Sequence, residues 1–168
     1  MRLCSDAKYS VKLVRALSTN PIITPKRRRV DDLFTTLDTA RLRYLIADYL
    51  KISSKNVHAY IMGEHGDSSF VPWSVCRVAG SDLDDHIEMM RNLGKEVEEL
   101  DRDAMLHYVQ KSGGQIIKNK GATFYAIARS VVELCSLILS SSDSTAMVSS
   151  MMHGEYGVED VCLSTLNL

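Results

Sequence analysis

No two of the four cysteines form a CxxC pair: Cys4, Cys76, Cys135 and Cys162 lie far apart in a chain of 168 residues. That spacing argues against both a zinc site and a disulfide framework. Buried thiols in a reducing cytosol are the plain expectation. No apolar run approaches the ~20 residues that a membrane-spanning helix needs. The opening MRLCSDAKYSVKLV carries charges where a secretory leader has an unbroken apolar stretch. The formal net charge is only -1, so nothing steers the whole chain towards nucleic acid or an anionic membrane. No strand pattern runs into a GxGxxG turn, so no dinucleotide-binding half is visible. What is present is ordinary: 45% hydrophobic and 24% charged residues, enough for one globular domain with a core.

Periodicity divides the chain into segregated elements. Residues 5–19 read as a short basic amphipathic helix capped by Ser5 or Asp6, with Val11, Val14 and Leu17 on one face. Asn20-Pro21 ends it. Pro25-Lys26-Arg27-Arg28-Arg29 is a basic run in a proline-flanked loop. A solvated loop is the expectation there, because no aromatic or basic stripe accompanies it; a phosphate-contacting arm or a nuclear signal is the alternative. The spacing of Leu37, Ala40, Leu45, Ile46 and Leu50 predicts a helix over 36–51, started by Thr36 or Asp38. Alternation predicts half-buried strands over 57–62 and 71–78, with Val71, Trp73 and Val75 on one side of the second. Ala79-Gly80-Ser81-Asp82 reads as a turn.

Residues 83–119 read as charged helix, with a kink or a helix junction at Ser112-Gly113-Gly114, where two glycines cost roughly 1–2 kcal/mol relative to alanine. Residues 123–140 are apolar around much of a helical circumference, which predicts a central core helix. A polar loop at 140–144 follows. Strands over 145–153 and 158–166 are joined by the hairpin signal Gly154-Glu155-Tyr156-Gly157. The fold class expected is α+β, with antiparallel strands packed on long helices.

Chemistry concentrates in two stretches. Asp38 and Arg41 lie three apart and share a helix face. A carboxylate in a first helical turn is favoured by the macrodipole, and an arginine offers a planar fork for a carboxylate ligand. The plain alternative is a surface ion pair. Gly63-Glu64-His65-Gly66-Asp67-Ser68 holds one histidine between glycines and carboxylates. An imidazole suits proton transfer near neutrality, and more so when an aspartate holds its other nitrogen. Glu64 and Asp67 are local candidates for that partner, or simply turn residues.

Leu37-Asp38-Thr39-Ala40-Arg41-Leu42-Arg43-Tyr44-Leu45, the His65 loop and Lys120-Gly121-Ala122-Thr123 together resemble, in order and spacing, the C-terminal substrate-binding domain of the lactate/malate dehydrogenase family, in its L-lactate dehydrogenase branch. The resemblance runs from about Thr35 onward, over 35–168. It implies that His65 is the general acid/base, that Asp38 orients it, and that Arg41 clamps the substrate carboxylate. It places Thr39, Ala40 and Thr123 at the substrate, with Thr123 typical of lactate rather than malate specificity. It matches Arg43 and His58 to the positions that bind fructose 1,6-bisphosphate in allosteric bacterial relatives.

The resemblance further implies NAD as cofactor, a small 2-oxo or 2-hydroxy acid substrate, a homotetramer, a cytoplasmic location, and a place in carboxylic acid metabolism such as glycolysis or fermentation. No metal is implied. It also implies a chain short at both ends: the NAD-binding half is missing, as are a strand and a final helix after Leu168. Residues 1–34 are atypical, and a shifted reading frame, a misassembled gene or a disordered segment would each account for them. An isolated fragment of this kind is expected to be inactive. The competing readings are a malate dehydrogenase fragment, a non-catalytic remnant serving subunit contact, and a nucleic-acid binder using Lys26–Arg29.

Overall fold

A computed structural model describes residues 30–32, 34–140 and 145–167. The expected helix at 5–19, the basic run at 25–29, Cys4 and the loop at 141–144 lie outside the described residues. The described part contains four helices and two three-stranded antiparallel sheets. This is the α+β arrangement, and helix α1 (Phe34–Leu50) stands at its centre.

Helix α1 buries most of its circumference. Leu42 and Ile46 are fully buried, with Leu37, Ala47 and Leu50 nearly so. The i, i+4 spacing of Leu42, Ile46 and Leu50 makes one apolar stripe. Ala40, Tyr44 and Asp48 face outward. The helix stops where Lys51 takes a positive φ of 55°, and Ser53 caps the next short turn by accepting a bond from the Lys55 amide.

Residues 57–62 show the expected alternation in burial: Val57, Ala59 and Ile61 are buried against the helix. The ladder is shorter than expected. Strand β2 (Val57–His58) pairs with β3 (Arg77–Val78), and β3 pairs with β4 (Ser81–Asp82) through the Ala79-Gly80 turn. Ala79 and Gly80 both have positive φ, 50° and 91°, as a two-residue hairpin of the I′ kind requires. Between Val57 and Met62 the backbone bonds to α1 side chains instead of a strand. The Ile61 amide donates to Thr39 Oγ1 at 3.0 Å, and Arg43 Nε donates to the Ala59 carbonyl at 3.0 Å. The expected strand over 71–78 is a 3-10 turn at Trp73–Val75 followed by β3. Pro72 lacks a donor for a ladder, its carbonyl accepts from the Val75 amide, and Val75 is left 46% exposed.

The charged region divides at a different place from the one expected. Helix α2 (Leu83–Asn92) ends before Gly94, which has a φ of 77°. Helix α3 (Arg102–Lys120) runs unbroken through Ser112-Gly113-Gly114. Asp101 caps its start by accepting from the Ala104 amide at 2.8 Å. Gly121, at φ 83°, closes it with a bond from its amide to the Ile117 carbonyl. The caps and the packing of Val109, Met105 and Leu106 on the main core outweigh the poor helix propensity of two glycines.

Helix α4 (Tyr125–Leu139) is not the core helix its composition indicates. Ile127, Ser130 and Leu134 are buried, while Tyr125, Val132 and Leu139 are 69%, 60% and 76% exposed. It lies outside the second sheet, where Leu134 packs with Val148. That sheet has the order β1-β5-β6, with β1 (Val30–Asp32), β5 (Ala146–His153) and β6 (Glu159–Asn167). β5 is the middle strand, and Met147 to Ser150 are all buried. The expected hairpin at 154–157 joins β5 to β6, with Gly154, Tyr156 and Gly157 all at positive φ. Among the described thiols, Cys76 is buried, Cys135 half-buried and Cys162 exposed, so of these three the expectation of burial holds for Cys76 alone. Burial pushes the Cys76 thiol above its ordinary range. No described helix is long and apolar enough to cross a membrane.

Two stability outcomes follow from this packing. A Cβ at Gly113 or Gly114 would meet nothing within 4 Å. Each single alanine substitution is expected to raise stability by about 0.5–1 kcal/mol in urea denaturation; a loss would show that α3 needs a break there. Thr39→Val removes the acceptor for the buried Ile61 amide. It is expected to lower stability by about 1–3 kcal/mol in the same assay, and an unchanged midpoint would show that the bond is dispensable.

Candidate active site

The site begins with a buried carboxylate. Asp38 lies inside α1, beyond its first turn, which contains no acidic residue. The macrodipole expectation therefore fails, and what holds the charge is a pair of side-chain partners. Arg41 Nη1 donates to Asp38 Oδ1 at 2.8 Å, and His65 Nδ1 lies 2.6 Å from Asp38 Oδ2. The Asp38 side chain is 5% exposed, Arg41 17% and His65 38%. This is a buried carboxylate shared between two bases, not the surface ion pair that the sequence spacing also allowed.

A carboxylate only accepts hydrogen bonds, so the His65 proton on this side sits on Nδ1. That fixes the tautomer and leaves proton exchange to Nε2. The His65 ring is the most exposed of the three groups, while the aspartate beneath it is sealed from water. Arg41 spends only one nitrogen on Asp38 in this pair, and a guanidinium carries five donors in a plane.

The His65 loop is fastened on three sides. Met62 and Phe70 close its base through reciprocal backbone bonds of 2.9 and 3.1 Å. The Gly63 backbone pairs with Ser164 of β6 in both directions, at 3.0 and 2.7 Å. On the far side, α3 reaches over. Gln110 Nε2 donates to the Asp67 and Ser69 carbonyls and to Ser69 Oγ, and Lys111 pairs with Asp67 at 3.0 Å. Gly63 has a φ of 92°, a backbone conformation that favours glycine, and a Cβ there would stand 3.4 Å from the Phe70 ring. Glu64 accepts from Ser68 Oγ at 2.6 Å. Glu64 and Asp67 are therefore turn residues, and neither is the partner of the His65 Nδ1.

The other expected site residues separate into groups. Thr39 turns into the core with its hydroxyl on the Ile61 amide, and Ala40 is exposed on α1. Thr123 is half-buried in the connection from α3 to α4. Arg43 lies over the Tyr60 ring at 5.1 Å and bonds the Ala59 carbonyl, and His58 of β2 is exposed. Among the described residues, no group of three or more histidine, cysteine or acidic side chains is placed to hold a metal.

Sequence reasoning missed the hydroxyls behind the site. Ser164 is fully buried, with its Oγ 2.7 Å from Thr35 Oγ1 and 2.6 Å from Ser149 Oγ. Serines on a strand carry no local signature of this kind. Only the alternation of the hairpin, which puts Ser149 and Ser164 opposite each other, hinted at it.

Comparisons with known proteins converge on one family. Residues 35–167 match the lactate/malate dehydrogenase, alpha/beta C-terminal domain. The L-lactate dehydrogenase of Acetivibrio thermocellus is 36% identical over 167 residues, covering 94% of this chain and 52% of the relative. That of Priestia megaterium is 39% identical over 155 residues, covering 86% and 48%. The crystal structure of a lactate dehydrogenase from a Medee basin deep-sea metagenome library superposes with a TM-score of 0.72 at 36% identity, covering 80% of this chain and 42% of that one. The chain thus spans about half the length of the curated relatives it matches. From these matches and the fold just described, the chain belongs to the lactate/malate dehydrogenase family, and residues 35–167 are its α/β C-terminal domain.

Proposed function

We propose that this chain is the substrate-binding, proton-transferring half of an NAD-dependent L-lactate dehydrogenase, which interconverts pyruvate and L-lactate. The observation that carries the reading is the buried Asp38 joined at once to His65 and Arg41. Sealing a carboxylate from water costs several kcal/mol unless partners offset it. Here both partners are groups that a 2-oxo acid needs. The arginine binds its carboxylate by charge-assisted bonds. The histidine, as imidazolium, hands the Nε2 proton to the carbonyl oxygen as that oxygen gains charge, and takes it back in the reverse direction. Nδ1–H stays on Asp38 throughout, so the ring neither rotates nor changes tautomer.

The described residues do not form a dinucleotide cradle. Both sheets are antiparallel, with no strand–glycine turn–helix unit among them. The hydride that pyruvate must also receive therefore has no source in these side chains. Turnover then requires a nucleotide-binding half, and the 168-residue chain by itself is expected to be inactive.

Thr123 is read as a wall of the substrate pocket favouring lactate over malate. Arg43 and His58 are read as a fructose 1,6-bisphosphate contact in a homotetramer working in the cytoplasm. A subunit-contact role without catalysis is the second reading. Tyr125, Val132 and Leu139, exposed at seven-residue spacing on α4, favour it, whereas a buried Asp38 bonded to a half-exposed His65 serves no such contact.

A hybrid enzyme tests this directly. Residues 35–167 replace the matching segment of the Acetivibrio thermocellus L-lactate dehydrogenase, and NADH oxidation is followed with pyruvate and with oxaloacetate. The hybrid is expected to reduce pyruvate in preference to oxaloacetate. His65→Asn in it should lower kcat by about 10²–10⁴-fold with NADH binding retained. Arg43→Gln should abolish any activation by fructose 1,6-bisphosphate. A folded hybrid that binds NADH and leaves pyruvate untouched would refute the assignment, as would clear turnover by the 168-residue chain alone.

A further inference from the structure

The Asp38–His65 bond joins residues on two separate pieces of chain, a helix and a loop, and each is fastened to the same residue of β6. Thr35 stands one turn before Asp38 in α1, about 4.5 Å along the axis. Its hydroxyl bonds Ser164 Oγ at 2.7 Å. Gly63, two residues before His65, pairs its backbone with that of Ser164 at 3.0 and 2.7 Å. The links form a closed ring: Asp38, the helix turn, Thr35, Ser164, Gly63, His65 and back to Asp38 at 2.6 Å.

We propose that Ser164 is a positioning residue for the Asp38–His65 pair, setting the separation of helix and loop from β6. The inference rests on the reading of His65 as proton donor.

Two features make the ring stiff. Thr35 and Ser164 are both 0% exposed and Ser149 is 5%, so water cannot replace a lost bond among them. Each hydroxyl has one proton to give. Ser164 Oγ can therefore donate to at most one of its two neighbours and accepts from at least one, and the two bonds together hold it between Thr35 and Ser149. The strand side is equally constrained, because Ser164 is paired across the sheet with Ser149 of the central strand. Thr36 Oγ1, on the next residue of the same helix, donates to the Met147 carbonyl of β5, tying α1 to the sheet by a second bond. The aspartate thus reaches the histidine from a helix whose depth relative to the sheet is set by hydroxyls. A shift of ~1 Å at that anchor is enough to degrade a hydrogen bond and, with it, catalytic geometry.

The test reads the bond itself in the whole 168-residue chain. Histidine-labelled protein is examined by NMR for the His65 Nδ1–H proton, assigned by its disappearance in Asp38→Asn. Ser164→Ala and Thr35→Val, the latter preserving side-chain shape, are expected to lose or broaden that signal in protein that circular dichroism shows to be folded. Thr35→Ser, which restores the hydroxyl, should recover it. Ser149→Ala should lower the unfolding midpoint while leaving the signal in place, since it removes a hydroxyl of the cluster without cutting the link to α1. An unchanged signal in folded Ser164→Ala or Thr35→Val overturns the proposal, as does an equal loss in Ser149→Ala or the absence of an Asp38-dependent signal in the parent chain. If Ser164→Ala fails to fold, the contrast between Thr35→Val and Thr35→Ser decides. The imidazole signal does not depend on turnover, so the two failures are distinguishable: a signal unchanged in the variants refutes the positioning by Ser164, and an inert hybrid enzyme refutes the dehydrogenase reading.

Discussion

One carboxylate sets the terms for the site. Asp38 is sealed inside the helix that forms the core, and a charge there is tolerable only while both oxygens are occupied. Arg41 takes one and His65 the other. The consequences reach outward. The histidine must come from a loop that approaches α1 at one place, so Met62, Phe70, Gly63, Gln110 and Lys111 all restrain that loop. The helix must present Asp38 at one depth, so Thr35, Thr36 and Thr39 each spend a hydroxyl fastening α1 to its neighbours. Much of the buried polar inventory of the domain serves the placement of this one group.

The apolar core and the polar restraints do different work. Leu42, Ile46, Val57, Ala59, Ile61 and Val78 fill one cluster and supply the non-directional part of stability. Such packing would tolerate small slides of the helix. Hydrogen bonds with fixed lengths and directions do not, and they are concentrated where α1 meets β5, β6 and residues 59–61. Specific chemistry on a packed scaffold needs both: the core to hold the elements together, the hydroxyls to set their register.

What was legible in the sequence was local. The stripe of α1, the burial alternation of Val57, Ala59 and Ile61, and the hairpin glycines at 154 and 157 each depend on neighbours in the chain, and each appeared as expected. What depended on distant partners did not. Gly113 and Gly114 looked like a kink because propensity is a weak prior against packing and capping. Helix α4 looked central because composition does not say which side is covered. Residues 71–78 looked like a strand because their side chains alternate, while the turn that forms instead runs from the Pro72 carbonyl to the Val75 amide. In the site, the Asp38–Arg41 pair was legible from i, i+3 spacing, but its burial was not. The partner of His65 lies 27 residues away, and spacing alone left Glu64 and Asp67 as candidates. The Thr35–Ser164 bond spans 129 residues between two unremarkable side chains, and nothing local marks it.

The central claim is that Asp38 acts through His65 and not independently of it. A double-mutant cycle in the hybrid enzyme measures that most directly, with kcat at saturating pyruvate, which sets aside substrate binding through Arg41, determined for Asp38→Asn, His65→Asn and the pair. If the two side chains work as one unit, adding Asp38→Asn to His65→Asn costs nothing further, and the single losses are strongly non-additive. Losses that add in free energy would contradict the account, because Asp38 would then be serving the reaction by some route other than the histidine it holds.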